Sequence, residues 1–239
     1  MGTDELTEVD FVNPYLSQRR QWILTQLAKL LPNSVVTVAS NDPKTKFLFQ
    51  EWTGATQSSL EGHWKSEGFT KAKDPKKEGG VWVRKGGGPV TTSCEGLNGT
   101  LFSKIASAGF GKAAGGATSF NLAGLDKHGN EPATTVGWHW FRDRTKDRHP
   151  QGGDFFQIGT PVKPGQWFFH HVGVITGWVE GENPSWTTVE AGQGGPRAGF
   201  DYMKRKDWRP LNPIDKSDPK KVLMGWLDID EYFGDKASA

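Results

Sequence analysis

The sequence predicts an α+β fold, in which one clear helix near the N-terminus precedes a run of antiparallel strands. Apolar residues recur at helical spacing between residues 15 and 31. After residue 134, by contrast, the chain contains short aromatic and β-branched segments that are separated by turn residues. The 31 glycines and 14 prolines also indicate many turns between short strands.

The first helix is expected over residues 15–31. Leucine and isoleucine side chains recur there on one helical face, and Pro14 and Pro32 stand at its two ends. Residues 34–39 and 46–50 have the composition of short strands.

A long polar stretch separates these elements from the rest of the chain. Residues 54–88 are rich in lysine and glycine, so we expect long loops with little regular structure there. Three consecutive glycines, residues 86–88, mark a boundary. We therefore expect an N-terminal helical and loop-rich elaboration over residues 1–88 and a core over residues 89–239.

A second helix is expected to begin near Cys94. Thr92 and Glu95 have the Ser/Thr-x-x-Glu spacing of a capping box. Cys94 would then lie in the first turn, where free backbone N–H groups and the positive end of the helix dipole favour a thiolate over a thiol. The apolar residues that follow on one helical face are Leu97, Leu101, Phe102 and Ile105.

The second half of the chain has the composition of a β-sheet. Aromatic and β-branched residues predict strands over residues 134–141, 154–159, 166–176, 185–191 and 222–230. Residues 161–165 have the composition of a turn, and residues 177–184 are expected to join two of the strands as a hairpin.

Charge and hydropathy exclude two classes of partner. The formal net charge is +2 at pH 7, too small for a field that would attract nucleic acid. No stretch approaches the roughly 20 apolar residues of a membrane span, and the N-terminus has no basic segment followed by an apolar one. We therefore expect a chain that is made in the cytoplasm without a signal peptide, with no membrane span and no nucleic-acid partner.

The histidines outside the strand over residues 166–176 give no sign of a metal site. His139 lies between two tryptophans of a predicted strand, and His63, His128 and His149 lie in polar loops. No group of histidine, cysteine and acidic residues has a spacing typical of zinc. The sequence thus predicts no metal ion and no cofactor.

The chain has one cysteine, Cys94, which cannot form an intramolecular disulfide. A lone cysteine with a histidine far along the chain is the starting point for a catalytic pair, because the thiolate needs a base that only the fold brings close. A free cysteine is also often a buried, inert hydrophobic residue. The cysteine count alone leaves both interpretations open.

The strand over residues 166–176 contains two neighbouring histidines. Side chains of a strand alternate between its faces, so His171 and His170 are expected on opposite sides. Gly173, two residues after His171, would leave space beside the imidazole for a thiol. Hairpin pairing with the next strand would bring Glu190 beside His171, where a carboxylate orients the ring.

These residues resemble a known family. Cys94 at a helix start, the His171-Val-Gly-Val-Ile run on a later strand and Glu190 on the next strand are similar to the papain-like amidases and endopeptidases of the CHAP and NlpC type. Residues 154–159 also resemble the strand that precedes the histidine strand in that fold. The resemblance covers residues from about 90 to 192. It implies a papain-like core with Cys94 as nucleophile, His171 as base and Glu190 as the orienting carboxylate.

The chain departs from the family's pattern in two places. CHAP proteins tend to have Asn shortly after their Glu, whereas this chain has Gln193 there, which becomes a candidate for substrate binding. Cys94 is flanked by Ser93, Glu95 and Gly96 instead of the Asp-Cys-Ser-Gly style of the NlpC nucleophile.

The chain contains 11 tryptophans, most of which we expect to pack in the core. Trp52, Trp64 and Trp82 lie in the loop-rich region, where exposed rings can stack on sugars or on a partner. Trp82 is accordingly a second candidate for substrate binding.

The resemblance implies a cysteine hydrolase that cleaves amide bonds in peptidoglycan or its stem peptides. No wall-binding repeat of the kind common in phage lysins is visible. We therefore expect an antibacterial toxin that a secretion system delivers to the periplasm or cell wall of a target bacterium, and such a toxin requires a cognate immunity protein.

Two alternatives remain open. A papain-like protease, deamidase or acyltransferase acting on a protein would use the same thioester intermediate. A noncatalytic module would instead bind glycans through its tryptophans and bury Cys94 as a structural residue.

Overall fold

The structure is a computed structural model with an antiparallel β-sheet and three α-helices among the residues it describes, which confirms the predicted α+β class. The described residues are 16–30, 35–40, 65, 69–74, 77–84, 94–182, 184–191, 200–210, 214 and 218–234.

Seven strands form one sheet in the order β1-β8-β7-β6-β5-β9-β4, and β2 and β3 pair separately. Every pairing is antiparallel. The strands are β1 (Val35–Ser40), β2 (Phe69–Asp74), β3 (Lys77–Arg84), β4 (Trp138–Trp140), β5 (Phe155–Lys163), β6 (Gln166–Val179), β7 (Ser185–Glu190), β8 (Phe200–Pro210) and β9 (Val222–Leu227).

The helices are α1 (Gln18–Leu30), α2 (Cys94–Ser107) and α3 (Ile229–Tyr232). A short 3₁₀ helix, Phe141–Asp143, follows β4. None of the helices in the described parts of the chain is long and apolar enough to span a membrane.

The main core lies between the helices and one face of the sheet. Leu97 and Leu101 of α2 are fully buried in it together with Val172 and Val174 of β6. Ile23 of α1 is buried in the same core, so the N-terminal helix packs on the sheet. Burial of apolar side chains at this spacing explains why both helices form where their periodicity predicts them.

A second core covers the opposite face. Phe155 belongs to the main core and its neighbour Phe156 to the second one, as expected for successive residues of a strand. Phe156 meets Trp186 of β7 edge-to-face, with ring centroids 4.8 Å apart. The central strands are therefore buried on both sides, which accounts for their nearly continuous apolar sequence.

Most predicted elements appear with shifted ends, but one prediction was wrong and one strand was not predicted. The loop-rich stretch 54–88 contains β2 and β3, so the expectation of little regular structure was wrong there. β8 was not predicted, because its run of charged residues lacks the alternation typical of a half-buried strand.

The strand candidate 46–50 lies outside the described residues. The boundary after residue 88 stays a prediction, although β1 pairs with β8 in the main sheet.

A buried arginine joins the N-terminal helix to the sheet. Arg20 of α1 is almost completely buried and contacts the carboxylates of Asp154, Asp228 and Asp230 at 2.5, 2.9 and 2.7 Å. Burial alone would lower the pKa of Arg20, but the three carboxylates hold it above its ordinary value. The guanidinium therefore stays charged and connects α1 to the start of β5 and to the junction of β9 with α3.

We expect Arg20→Ala to destabilise the protein by about 3–5 kcal/mol, because the change leaves the buried carboxylate of Asp154 without its counter-charge. Equilibrium unfolding in urea measures the loss. The control is Arg142→Ala, which removes the ion pair between a half-exposed arginine and Glu131 and should cost about 1 kcal/mol or less. Equal losses in the two variants would contradict a structural role for the buried cluster.

Candidate active site

Cys94 is the first residue of α2. Its side chain is half-buried and packs against the main core. The first backbone N–H groups of a helix have no intrahelical acceptor, so the end of α2 that carries Cys94 has free donors. The expected capping residue Thr92 lies outside the described residues, and so does the side chain of Glu95.

His171 lies in β6 opposite Ile158 of β5. Gly159 is the next residue of β5 to pair, and its partner is Phe169, so His170 is the extra residue of a β-bulge. Nε2 of His170 hydrogen-bonds to Oγ1 of Thr160 at 2.7 Å. The two neighbouring histidines therefore have different partners.

Glu190 is the last residue of β7, and its side chain is fully buried. Its Oε2 lies 3.0 Å from Nε2 of His171. Its Oε1 accepts a hydrogen bond of 2.6 Å from Oγ1 of Thr188, which is buried as well. Pairing of β6 with β7, with Val174 opposite Val189, brings the carboxylate to the imidazole. The sequence places Thr188 on the same strand face as Glu190, but gives no sign of its hydrogen bond.

The environment of His171 favours its protonated form. Burial alone would lower the pKa of His171, whereas hydrogen bonds with Cys94 and Glu190 and the negative charges of these two groups raise it. The balance raises the pKa of His171 to about 9 from an ordinary value of 6.5. His171 is therefore an imidazolium at neutral pH, held between a sulfur and a buried carboxylate.

The three side chains form a relay of hydrogen bonds. Glu190 occupies Nε2 of His171, which leaves Nδ1 as the ring nitrogen for Cys94. A carboxylate on one nitrogen and a nucleophile on the other is the arrangement of a catalytic triad, in which the carboxylate fixes the ring and stabilises its positive charge. Such a group can transfer an acyl group through the sulfur.

Gly173 has a different role from the one expected. A Cβ atom at this position would lie 2.7 Å from Cε1 of Phe156, which is closer than real Cβ contacts. The glycine therefore makes room for the phenyl ring, not for the thiol. The ring of Phe156 in turn lies against His171, with ring centroids 6.1 Å apart, and limits the movement of the imidazole.

Neither of the two candidates for substrate binding has its side chain among the described parts of the chain. Gln193 lies outside the described residues. Trp82 belongs to β3, opposite Lys71 of β2, in the two-stranded sheet, and its side chain lies outside the described part of the chain.

A second group of polar side chains was not predicted from the sequence. His139, Asp228 and Glu231 have potential metal-ligand atoms that all lie within 4.8 Å of one another. Asp228 and Glu231 are close in sequence, but His139 is far from both, so no spacing motif relates the three residues. The pairing of β4 with β9 brings them together.

Comparison of the chain with models of protein families, with curated proteins and with solved structures finds no match.

We expect the imidazole of His171 to titrate near pH 9 in the folded protein, because Cys94 and Glu190 both stabilise its charged form. Nuclear magnetic resonance of ¹⁵N-labelled histidine measures this directly. Glu190→Gln and Cys94→Ser should each lower the pKa of His171, since each removes a negatively charged group that lies beside the ring. A titration that is the same in all three proteins would contradict the hydrogen-bonded relay.

Proposed function

We propose that the protein is a cysteine amidase or endopeptidase that cleaves amide bonds in peptidoglycan. The observation that supports this best is the position of His171 between a half-buried thiol at a helix start and a buried carboxylate. A structural cysteine needs no imidazole beside it, whereas a nucleophilic cysteine commonly has a histidine base that a third polar group orients.

The first step is acyl transfer to sulfur. The Cys94 thiolate attacks the carbonyl carbon, and the carbonyl π electrons move to oxygen as the C–S bond forms. When the tetrahedral intermediate collapses, the C–N bond breaks and the departing amine takes the proton of the His171 imidazolium. The products of this step are a free amine and a thioester on Cys94.

The second step is hydrolysis of the thioester. His171, now neutral, takes a proton from a water molecule whose oxygen attacks the thioester carbon. The C–S bond breaks, a carboxylic acid leaves, and the thiolate and imidazolium are restored. Glu190 remains ionised in both steps and stabilises the imidazolium whenever it forms.

The oxyanion of each tetrahedral intermediate needs hydrogen-bond donors. Backbone N–H groups at the start of α2 are the nearest candidates, since Cys94 is the first helical residue. Each such donor is typically worth about 3 kcal/mol of transition-state stabilisation. A nucleophile at the start of a helix therefore lies beside the free N–H groups that the oxyanion needs.

The choice of peptidoglycan rests on the resemblance of the cysteine, histidine and glutamate segments to the CHAP and NlpC type. In this proposal the chain is an antibacterial toxin that a secretion system delivers to the periplasm or wall of a target cell. A cognate immunity protein would protect the producing cell.

We expect Cys94→Ala to abolish the release of fragments from purified sacculi, and to leave the fold intact because Cys94 lies at a helix start. His171→Ala should lower the rate by about 10²–10⁴, the usual contribution of a general acid–base group. The rate of Glu190→Gln should lie between the rates of His171→Ala and the wild type. Mass analysis of the soluble fragments identifies the bond that is cleaved.

His170→Ala is the matched control, because His170 neighbours His171 but bonds to Thr160. It should retain most of the activity. Loss of activity in His170→Ala with retention in His171→Ala would show that the roles are assigned to the wrong histidine. Intact sacculi together with cleavage, deamidation or acyl transfer on a protein would replace peptidoglycan with a protein substrate and leave the triad in place.

We expect iodoacetamide to label Cys94 in the native protein, because the thiol is only half-buried and a nucleophilic cysteine must be accessible to its substrate. Labelling at neutral pH should be slower in His171→Ala, which lacks the imidazole that hydrogen-bonds to the sulfur. Equal labelling rates in the two proteins, or a thiol that resists labelling until the protein unfolds, would favour the noncatalytic binding module.

A further inference from the structure

Three side chains that the proposed reaction does not use converge at one end of the sheet. His139 lies in β4, Asp228 directly follows β9, and Glu231 lies in α3. Their potential ligand atoms all lie within 4.8 Å of one another. One imidazole nitrogen and two carboxylates from three separate elements form a donor set that suits a divalent transition metal.

The imidazole of His139 is held in place without a hydrogen bond to any described residue. It lies against Trp226 in a tilted arrangement, with ring centroids 5.2 Å apart, and its side chain is 14% exposed. Its Nε2 lies 3.3 Å from Oε1 of Glu231. Two ligands that are each bound at about 2.0–2.1 Å to a tetrahedral zinc ion lie about 3.3 Å apart. The separation of these atoms is thus the one that two ligands of a single ion have.

The carboxylate of Asp228 is already oriented on one side. Oδ1 of Asp228 accepts hydrogen bonds from the backbone N–H groups of Asp230 and Glu231 at 2.9 and 3.1 Å, and it lies 2.9 Å from a guanidinium nitrogen of Arg20. Its Oδ2 has no hydrogen-bond partner among the described residues. Outer-shell donors that fix one oxygen and leave the other for the ion are the usual support of a carboxylate ligand.

We propose that His139, Asp228 and Glu231 bind a divalent first-row transition metal ion, with Zn²⁺ as the representative case. The ligand atoms are Nε2 of His139, Oδ2 of Asp228 and a carboxylate oxygen of Glu231, and water completes a tetrahedron. The imidazole disfavours Mg²⁺ and Ca²⁺, which prefer sites made of oxygen ligands alone.

Local charge does not oppose a cation at this position. Arg20 is the nearest positive group to Asp228, but Asp154 and Asp230 also contact its guanidinium. Arg19 also contacts Asp230, and burial raises the pKa of Asp154 to about 7. The carboxylates of Asp228, Asp230 and Glu231 still outnumber the two guanidinium groups, so the ion enters a region of net negative charge.

The ion would cross-link distant parts of the chain. It would join β4 to α3, which lie far apart in sequence and meet here through the pairing of β4 with β9. An ion that binds only the folded state stabilises it by an amount that grows with the ion's concentration relative to its Kd. The proposed site is therefore structural and independent of the cysteine chemistry.

The test uses the full-length chain with Cys94→Ser, because the catalytic thiol and His171 could themselves bind a transition metal. Titration with Co²⁺ should give the intense visible absorption of a four- or five-coordinate ion with one-to-one stoichiometry, without a sulfur-to-cobalt charge-transfer band. Zn²⁺ should displace the cobalt and raise Tm in a saturable way. His139→Ala should weaken binding by a factor of at least about 10, since loss of an outer-shell partner alone costs that much.

His128→Ala is the matched control, because His128 is an exposed loop histidine that should not affect binding. Glu231→Gln is the second test variant: its side chain is 54% exposed, so the fold should tolerate the change while binding weakens. Absence of saturable Co²⁺ binding in Cys94→Ser overturns the proposal. Equal affinities in His139→Ala, Glu231→Gln and His128→Ala overturn it as well.

Discussion

The buried guanidinium of Arg20 is the constraint on which the arrangement of the other elements depends. A charge removed from water persists only where it is paired, and Arg20 finds its partners on Asp154, Asp228 and Asp230. Asp154 lies directly before β5, and its carbonyl accepts a hydrogen bond from the N–H group of Ile175 in β6. The contact that holds α1 on the core therefore also fixes where β5 starts relative to β6.

The β5–β6 pairing carries this constraint to His171 and its partners. From Phe155 opposite Val174 the register runs without a shift to Ile158 opposite His171, where the bulge occurs. The bulge turns His170 toward Thr160 and leaves His171 with Glu190 and Cys94. A one-residue slip would exchange the faces of the two histidines, so the triad depends on register as much as on residue type.

The sequence predicts elements whose pattern is local and fails where the information is not local. The apolar periodicity of α1 and the lone cysteine at a helix start are local patterns, and the structure has both helices. The sequence of β8 is rich in charged residues and does not by itself indicate a strand. Its pairing with β1 and β7 depends on partners that are distant in sequence. For the same reason spacing predicts neither the approach of His139 to Glu231 nor the filling of the Gly173 position by Phe156.

The triad also contributes to stability, and this affects how its variants are interpreted. Glu190 is fully buried, and His171⁺ is its charged partner. Because the pKa of His171 is about 9 in the folded protein and about 6.5 when unfolded, this stabilisation is fully present below pH 6.5 and is lost as the pH rises through 9. His171→Ala removes the charged partner of a buried carboxylate and should therefore weaken the fold. Cys94→Ala leaves the His171–Glu190 pair in place, so it should weaken the fold less than His171→Ala does.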